Sequence, residues 1–239
     1  MNRTFVRPGL LVAVLLLVGA PASAQVVQSL HVGVGGFFPK GFDARVEGDV
    51  LVENLSVGEP LFFEIGDFRS GQVFGEWNVA FGDHIEVGAG IGYFQSTVPS
   101  VYEFLVNDDG SEIRQDLKLR VVPVTGIVRF LPVGSPDEVQ PYVGVGISLL
   151  NWRYSEFGEF VDLADFSVFT DRFVATGSTP GTLLVYGVRI PIDGDIYGLT
   201  LEGRYQWGEG DTGGFDAGFL GDKIDLGGGS FNVGFLVRF

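Results

Sequence analysis

The stretch from Phe231 to Phe239 can be only one kind of element. Phe231, Val233, Phe235, Val237 and Phe239 fall on one side of an extended chain, and Asn232, Gly234, Leu236 and Arg238 fall on the other, because successive side chains of a strand point to opposite faces. One face is wholly apolar and needs lipid or a packed core against it. No segment after the N-terminus approaches the roughly 20 consecutive apolar residues that a spanning helix requires, so any membrane span in this chain must be made of strands.

The same alternation recurs. His31 to Phe38 (HVGVGGFF), Glu86 to Phe94 (EVGAGIGYF) and Tyr142 to Leu150 (YVGVGISLL) are alike, and Gly198 to Trp207 (GLTLEGRYQW) keeps the alternation without the glycines. Val32, Val87, Val143 and Leu199 thus mark a loose repeat with one hairpin per unit. Returning strands end at Phe81, Phe130, Ile190 and Phe239, three of them after Val-Arg. Eight strands follow, over 29–38, 70–82, 84–96, 115–131, 140–153, 181–191, 196–208 and 226–239. Three connections are short, Gly82-Asp83-His84, 132–137 and 191–195, whereas the other four run to about 15 to 30 residues, the alternation of short periplasmic turns and long outer loops seen in outer-membrane barrels. The expectation is an all-β fold, a transmembrane antiparallel up-and-down barrel of eight strands.

The faces sort accordingly. Trp77, Val79 and Phe81; Ile85, Val87, Ala89 and Ile91; Leu184, Tyr186, Val188 and Ile190; and Leu199, Leu201, Tyr205 and Trp207 make apolar outer surfaces. Strand four departs from the rule, with Leu117, Leu119 and Val121 at odd positions but Val124, Val128 and Phe130 at even ones. Either a bulge near Pro123 shifts the phase or the upper half stands above the membrane.

The N-terminus agrees with export. Arg3 and Arg7 precede an apolar run, and Ala22-Ser23-Ala24 precedes Gln25, so residues 1–24 read as a secretory signal peptide cleaved between Ala24 and Gln25, leaving 25–239 as one barrel domain. With this segment and the closing GFLVRF, the chain resembles the small eight-stranded outer-membrane barrels, the group that includes OmpA, OmpX and OmpW. The resemblance implies that Phe235, Val237 and Phe239 carry the signal read by the barrel-assembly machinery. It also implies the cell outer membrane as the location, the lipid bilayer and lipopolysaccharide as surroundings, periplasmic chaperones in transit, and a monomer. An OmpW-like member would pass small hydrophobic molecules.

On the inner faces, Glu76, Glu86 and Glu202 oppose Arg129, Arg189, Arg204 and Arg238, with Gly88, Gly90, Gly92, Gly144 and Gly146 leaving room. An eight-stranded barrel is just wide enough for side chains to fill it, so these charges are expected to pair and plug the lumen. The two histidines, His31 and His84, begin rising strands and so lie at the periplasmic end, far from an outer-leaflet lipid, which disfavours a Ser-His hydrolase and any enzyme of that kind. Without cysteine, neither a disulfide framework nor a lipoprotein anchor is available. The formal charge of −15 makes a nucleic-acid partner unsuitable, since the chain would repel phosphates overall.

Much of the acid lies in the loops, including Asp43, Glu47, Asp49, Glu53, Glu59, Glu64 and Asp67 in the first and Glu209, Asp211, Asp216, Asp222 and Asp225 in the last. Such a rim could share divalent cations with lipopolysaccharide. No segment has the spacing of a dedicated calcium loop, and Asn107-Asp108-Asp109-Gly110 reads as a turn, so neither a metal nor a cofactor site is expected. Phe62, Phe63, Phe68, Phe157, Phe160, Phe166 and Phe169 suggest strands prolonged above the membrane or a hydrophobic site at the mouth. Two roles follow from these features: a structural or surface-interaction barrel acting through its loops, and a transporter of small apolar compounds.

Overall fold

The computed structural model describes residues 27–162 and 165–239, so the expected signal segment and its Ala24–Gln25 cleavage site lie outside the described residues. Eight long strands form the wall: β1 (Gln28–Pro39), β2 (Ser70–Phe81), β3 (Ile85–Val106), β4 (Glu112–Phe130), β5 (Gln140–Val161), β6 (Val168–Asp193), β7 (Tyr197–Trp207) and β8 (Gly228–Arg238). Each pairs antiparallel with its chain neighbours, and β1 pairs with β8, which closes the ring. The seam runs without a shift from Leu30–Val237 through Val34–Val233 to Pro39–Gly228. Beyond β8, the Phe239 N–H donates to the Gln28 carbonyl at 2.9 Å and its carbonyl accepts from the Gln28 N–H at 3.2 Å. Its ring meets Trp77 edge-on at 6.1 Å. The terminal residue therefore extends both the ladder and the outer apolar face.

The strands overrun their expected bounds at one end only. The segments 84–96, 140–153 and 181–191 are the lower parts of β3, β5 and β6, and most of the connections expected between strands three and four and between strands five and six are strand as well. The β3–β4 connection is reduced to a tight turn in which Asn107 and Gly110 are bonded and Gly110 has a φ of 81°. These upper parts escape the lipid-facing rule because their polarity is reversed. On β4, Ile113, Leu117, Leu119 and Val121 are buried inside, while Asp116, Lys118 and Arg120 point out.

That reversal settles the phase of strand four. Its pairing with β3 holds one register from Val101–Arg114 to Ile85–Phe130, and its pairing with β5 holds one register from Gln115–Gly158 to Phe130–Val143, so no bulge lies at Pro123. Odd positions face inward along the whole strand. Below Val122 the outside is apolar, as lipid demands, and the inside carries Thr125 and the buried Arg129 around a small apolar cluster of Ile127, Leu183 and Val185; above it the inside is mostly apolar and the outside polar, as water demands.

The upper barrel is consequently filled like a soluble core. Phe94, Val98, Leu117, Leu119, Leu150, Trp152 and Tyr154 from the wall pack with Val50 and Leu51 of helix α1 (Val50–Ser56) and with Phe63, Ile65 and Phe68 of the first loop. Phe219, Ile224 and Leu226 of the last loop complete the cluster. Asp49 starts α1 by accepting from the N–H groups of Leu51 and Val52, a capping arrangement worth about 1 kcal/mol. The same buried carboxylate takes both Arg45 and the Asp225 N–H, tying the first loop to the last. Of the loop phenylalanines, Phe63, Phe68 and Phe160 are buried, whereas Phe62, Phe157, Phe166 and Phe169 are exposed.

Candidate functional site

The interior divides into storeys, and each follows from the residues that face it. In the lower storey, β2, β3 and β7 contribute Glu76, Glu86 and Glu202, and β4, β6 and β7 contribute Arg129, Arg189 and Arg204. All but Arg204 are buried. Arg129 is the hub, reaching Glu76 at 2.5 Å and Glu86 and Glu202 at 3.4 Å each, and donating to Asn78 Oδ1 at 3.0 Å. Arg189 grips Glu86 with two hydrogen bonds of 2.8 and 2.5 Å. Arg204 donates to Glu76 at 2.8 Å and to Glu202, and its guanidinium lies 3.8 Å from the Phe74 ring centre. Tyr142 donates to Glu202 at 2.8 Å, beneath both Arg129 and Arg189.

The signs balance, with three carboxylates against three guanidinia. Removing one partner from such a buried set leaves an uncompensated charge, which costs about 3 to 5 kcal/mol. The glycines expected to leave room do so where it matters: a Cβ on Gly144 would meet Arg129 Cγ at 2.9 Å, and one on Gly88 would meet Asn78 and the Arg129 guanidinium. Arg238 stands apart from the glutamates. It sits at the short-turn end of the barrel and donates to Gln140 Oε1 at 2.7 Å and to the Asp195 carbonyl at 2.8 Å, because its strand position is below that of the acidic groups.

His31 is buried in this storey, with Nε2 2.7 Å from Thr200 Oγ1 and Nδ1 4.0 Å from Glu76. The order hydroxyl, imidazole, carboxylate has the form of a nucleophile with its base. Glu76, however, is held by Arg129 and Arg204, and both His31 and Thr200 are buried. His84 lies in the β2–β3 turn with Nδ1 2.8 Å from the Leu131 carbonyl. Among the described residues no group of three or more His, Asp or Glu side chains is disposed to hold a metal ion.

Above the ion pairs lies a small apolar cavity of about 40 Å³, walled by Phe37, Phe74, Phe94, Val121, Pro123 and Leu183 and floored by Arg204. It reaches the wall at Ile91, Gly92 and Tyr93. There the β3–β4 pairing passes from Ile91–Val124 to Phe94–Val121, skipping the step at which Pro123 has no N–H to give. Nothing in the sequence pattern marks this cavity except Pro123 itself, since its walls mix residues from both polarity regimes.

No protein-family model matches the sequence, and no curated protein matches it. Among solved structures, the chain is similar to the outer membrane protein OprG from Pseudomonas aeruginosa, with a TM-score of 0.52 and 13% identity over 90% of this chain and 96% of that one. Neisserial surface protein A gives a TM-score of 0.44 and 14% identity over 90% and 96%. The fold is that of the small eight-stranded outer-membrane β-barrels.

Proposed function

We propose that this barrel acts by its surface, as a structural or interaction protein of the outer membrane, and that it neither conducts nor catalyses. The observation that carries this reading is an interior filled twice over. Paired charges close the lower storey, and a packed apolar core under α1 and the last loop closes the upper one. A neutral ion-pair plug of this width supports no steady ion path. Purified protein in planar bilayers should therefore show little conductance, and a large open-pore current would overturn the reading. In this reading the precursor is cleaved after Ala24, the closing Phe235, Val237 and Phe239 are read by the assembly machinery, and the folded protein is a monomer.

A second reading has one observation in its favour. The Phe-walled cavity that ends at the Pro123 step supports sideways release of a small apolar compound into the bilayer. In its present volume the cavity holds little more than water, so this role needs the upper core to move. Uptake of an apolar compound that depends on the protein and falls on Pro123→Val, which returns an amide donor to the ladder, would promote this reading over the first.

A further inference from the structure

On the outer wall, just above the lipid-facing band, four cations stand together. Lys118 and Arg120 of β4, Arg153 of β5 and Arg172 of β6, with Gln95 and Ser155, line a groove of about 240 Å³. Arg120 is directly opposite Arg153 in the β4–β5 ladder, and Lys118 is opposite Ser155 one step above. Like charges opposed across a sheet destabilise it. None of the four is among the ion pairs of the described residues, although Asp116 follows Lys118 up the same face. In a chain of formal charge −15, a cluster of side-by-side, uncompensated cations is a departure that packing does not account for.

Height identifies the missing anion. The continuous outward apolar band on these strands ends at Tyr93, Val122 and Leu149, with Val174 and Phe157 exposed singly above it, and Gln95 and Arg120 come two residues beyond the band. At about 3.3 Å per residue along a tilted strand, the groove opens within about 7 Å of the hydrocarbon edge. That is the depth of lipid headgroups, not of a soluble partner bound at the loop tips. The guanidinium pair suits a phosphate, which takes two parallel N–H donors from each arginine. In the outer leaflet of an outer membrane the lipid with phosphorylated sugars is lipopolysaccharide.

We propose that Lys118, Arg120, Arg153 and Arg172 form a seat for a lipopolysaccharide phosphate on the outer wall of the barrel. The proposal rests on the orientation that puts the long strand ends outside, and deepens the surface-interaction reading without depending on a closed lumen. The bound phosphate lies between Arg120 and Arg153 and removes their repulsion. The acidic loops above keep free anions from the mouth, so that the site is filled from the bilayer side.

The test uses the full protein in phosphatidylcholine vesicles, with and without a few per cent of lipid A. Bisphosphorylated lipid A should raise the unfolding temperature of the wild type, and dephosphorylated lipid A should not. Arg120→Gln with Arg153→Gln should weaken retention of bisphosphorylated lipid A by at least about tenfold, while Arg114→Gln, an exposed arginine paired with Glu112, should leave it unchanged. In plain phosphatidylcholine the double variant should be no less stable than the wild type, since it loses only repulsion. Equal stabilisation of the wild type by the two lipids would overturn the proposal without recourse to any variant. So would retention undiminished in the double variant, or protection of the two arginines from chemical modification by soluble heparin but not by lipid A.

Discussion

Glu156 shows how much depends on which storey a charged residue occupies. Unlike Glu76 or Glu86 it faces no arginine: its Oε1 accepts from Asn54 Nδ2 at 2.6 Å and from Tyr154 at 2.8 Å, both neutral donors. It lies on β5 three residues beyond Arg153 and thus outside the lipid. Burial raises its pKa from the ordinary 4.5, outweighing the two hydrogen bonds that lower it. The sign of the linkage follows. In the pH interval between the ordinary and the raised value the folded state holds the proton and the unfolded state does not, so stability is greatest below that interval and falls as pH rises through it. The upper barrel should be more resistant to urea at mildly acidic pH than at neutral pH. Glu156→Gln, which keeps the acceptor and removes the charge, should flatten that profile; an unchanged slope in the variant would place the effect elsewhere.

At the scale of the strand, β4 carries both halves of the molecule on one unbroken register, and it shows why the sequence could be read only in part. Its lower half, with Val124, Val128 and Phe130 outward and Arg129 inward, follows the lipid rule and was legible. The upper half obeys the opposite rule, so that Leu117 and Leu119 looked out of phase. They are in phase with the strand and out of phase only with the membrane. The same cause hid the upper ends of β5 and β6, where Tyr154 and Ala175 are wall residues of a soluble core rather than loop residues. The paired glutamates and arginines were legible because a narrow lumen leaves few partners, while Arg238 was misplaced because alternation gives the face and not the height. The cavity at Pro123 and the basic groove each need neighbours from several strands, which no single segment displays. In this reversed half, Leu119→Ala should cost about 2 to 5 kcal/mol as a core truncation. Asp116→Ser, three residues away on the wet face, should stay within about 0.5 kcal/mol. Urea unfolding of the two variants in vesicles checks the difference.

For the molecule as a whole, the change from dry-outside to wet-outside at Val122 and Arg120 is a waterline. Most barrels tolerate some vertical drift because polar loops above a lipid band do little to fix its height. Here a rise would lift Val122 and Leu149 into water, and a descent would drown Arg120 and then Arg153 in hydrocarbon, so displacement is opposed in both directions. The protein floats at one draught, as a hull does. It follows that bilayer thickness should matter to it beyond the ordinary tolerance of mismatch. Insertion yield into vesicles of graded acyl length should peak at one thickness and fall on both sides, whereas a plateau across the longer chains would show a hull without a waterline. In a membrane of uneven thickness, such a protein would be sorted by depth alone, before any loop had met a partner.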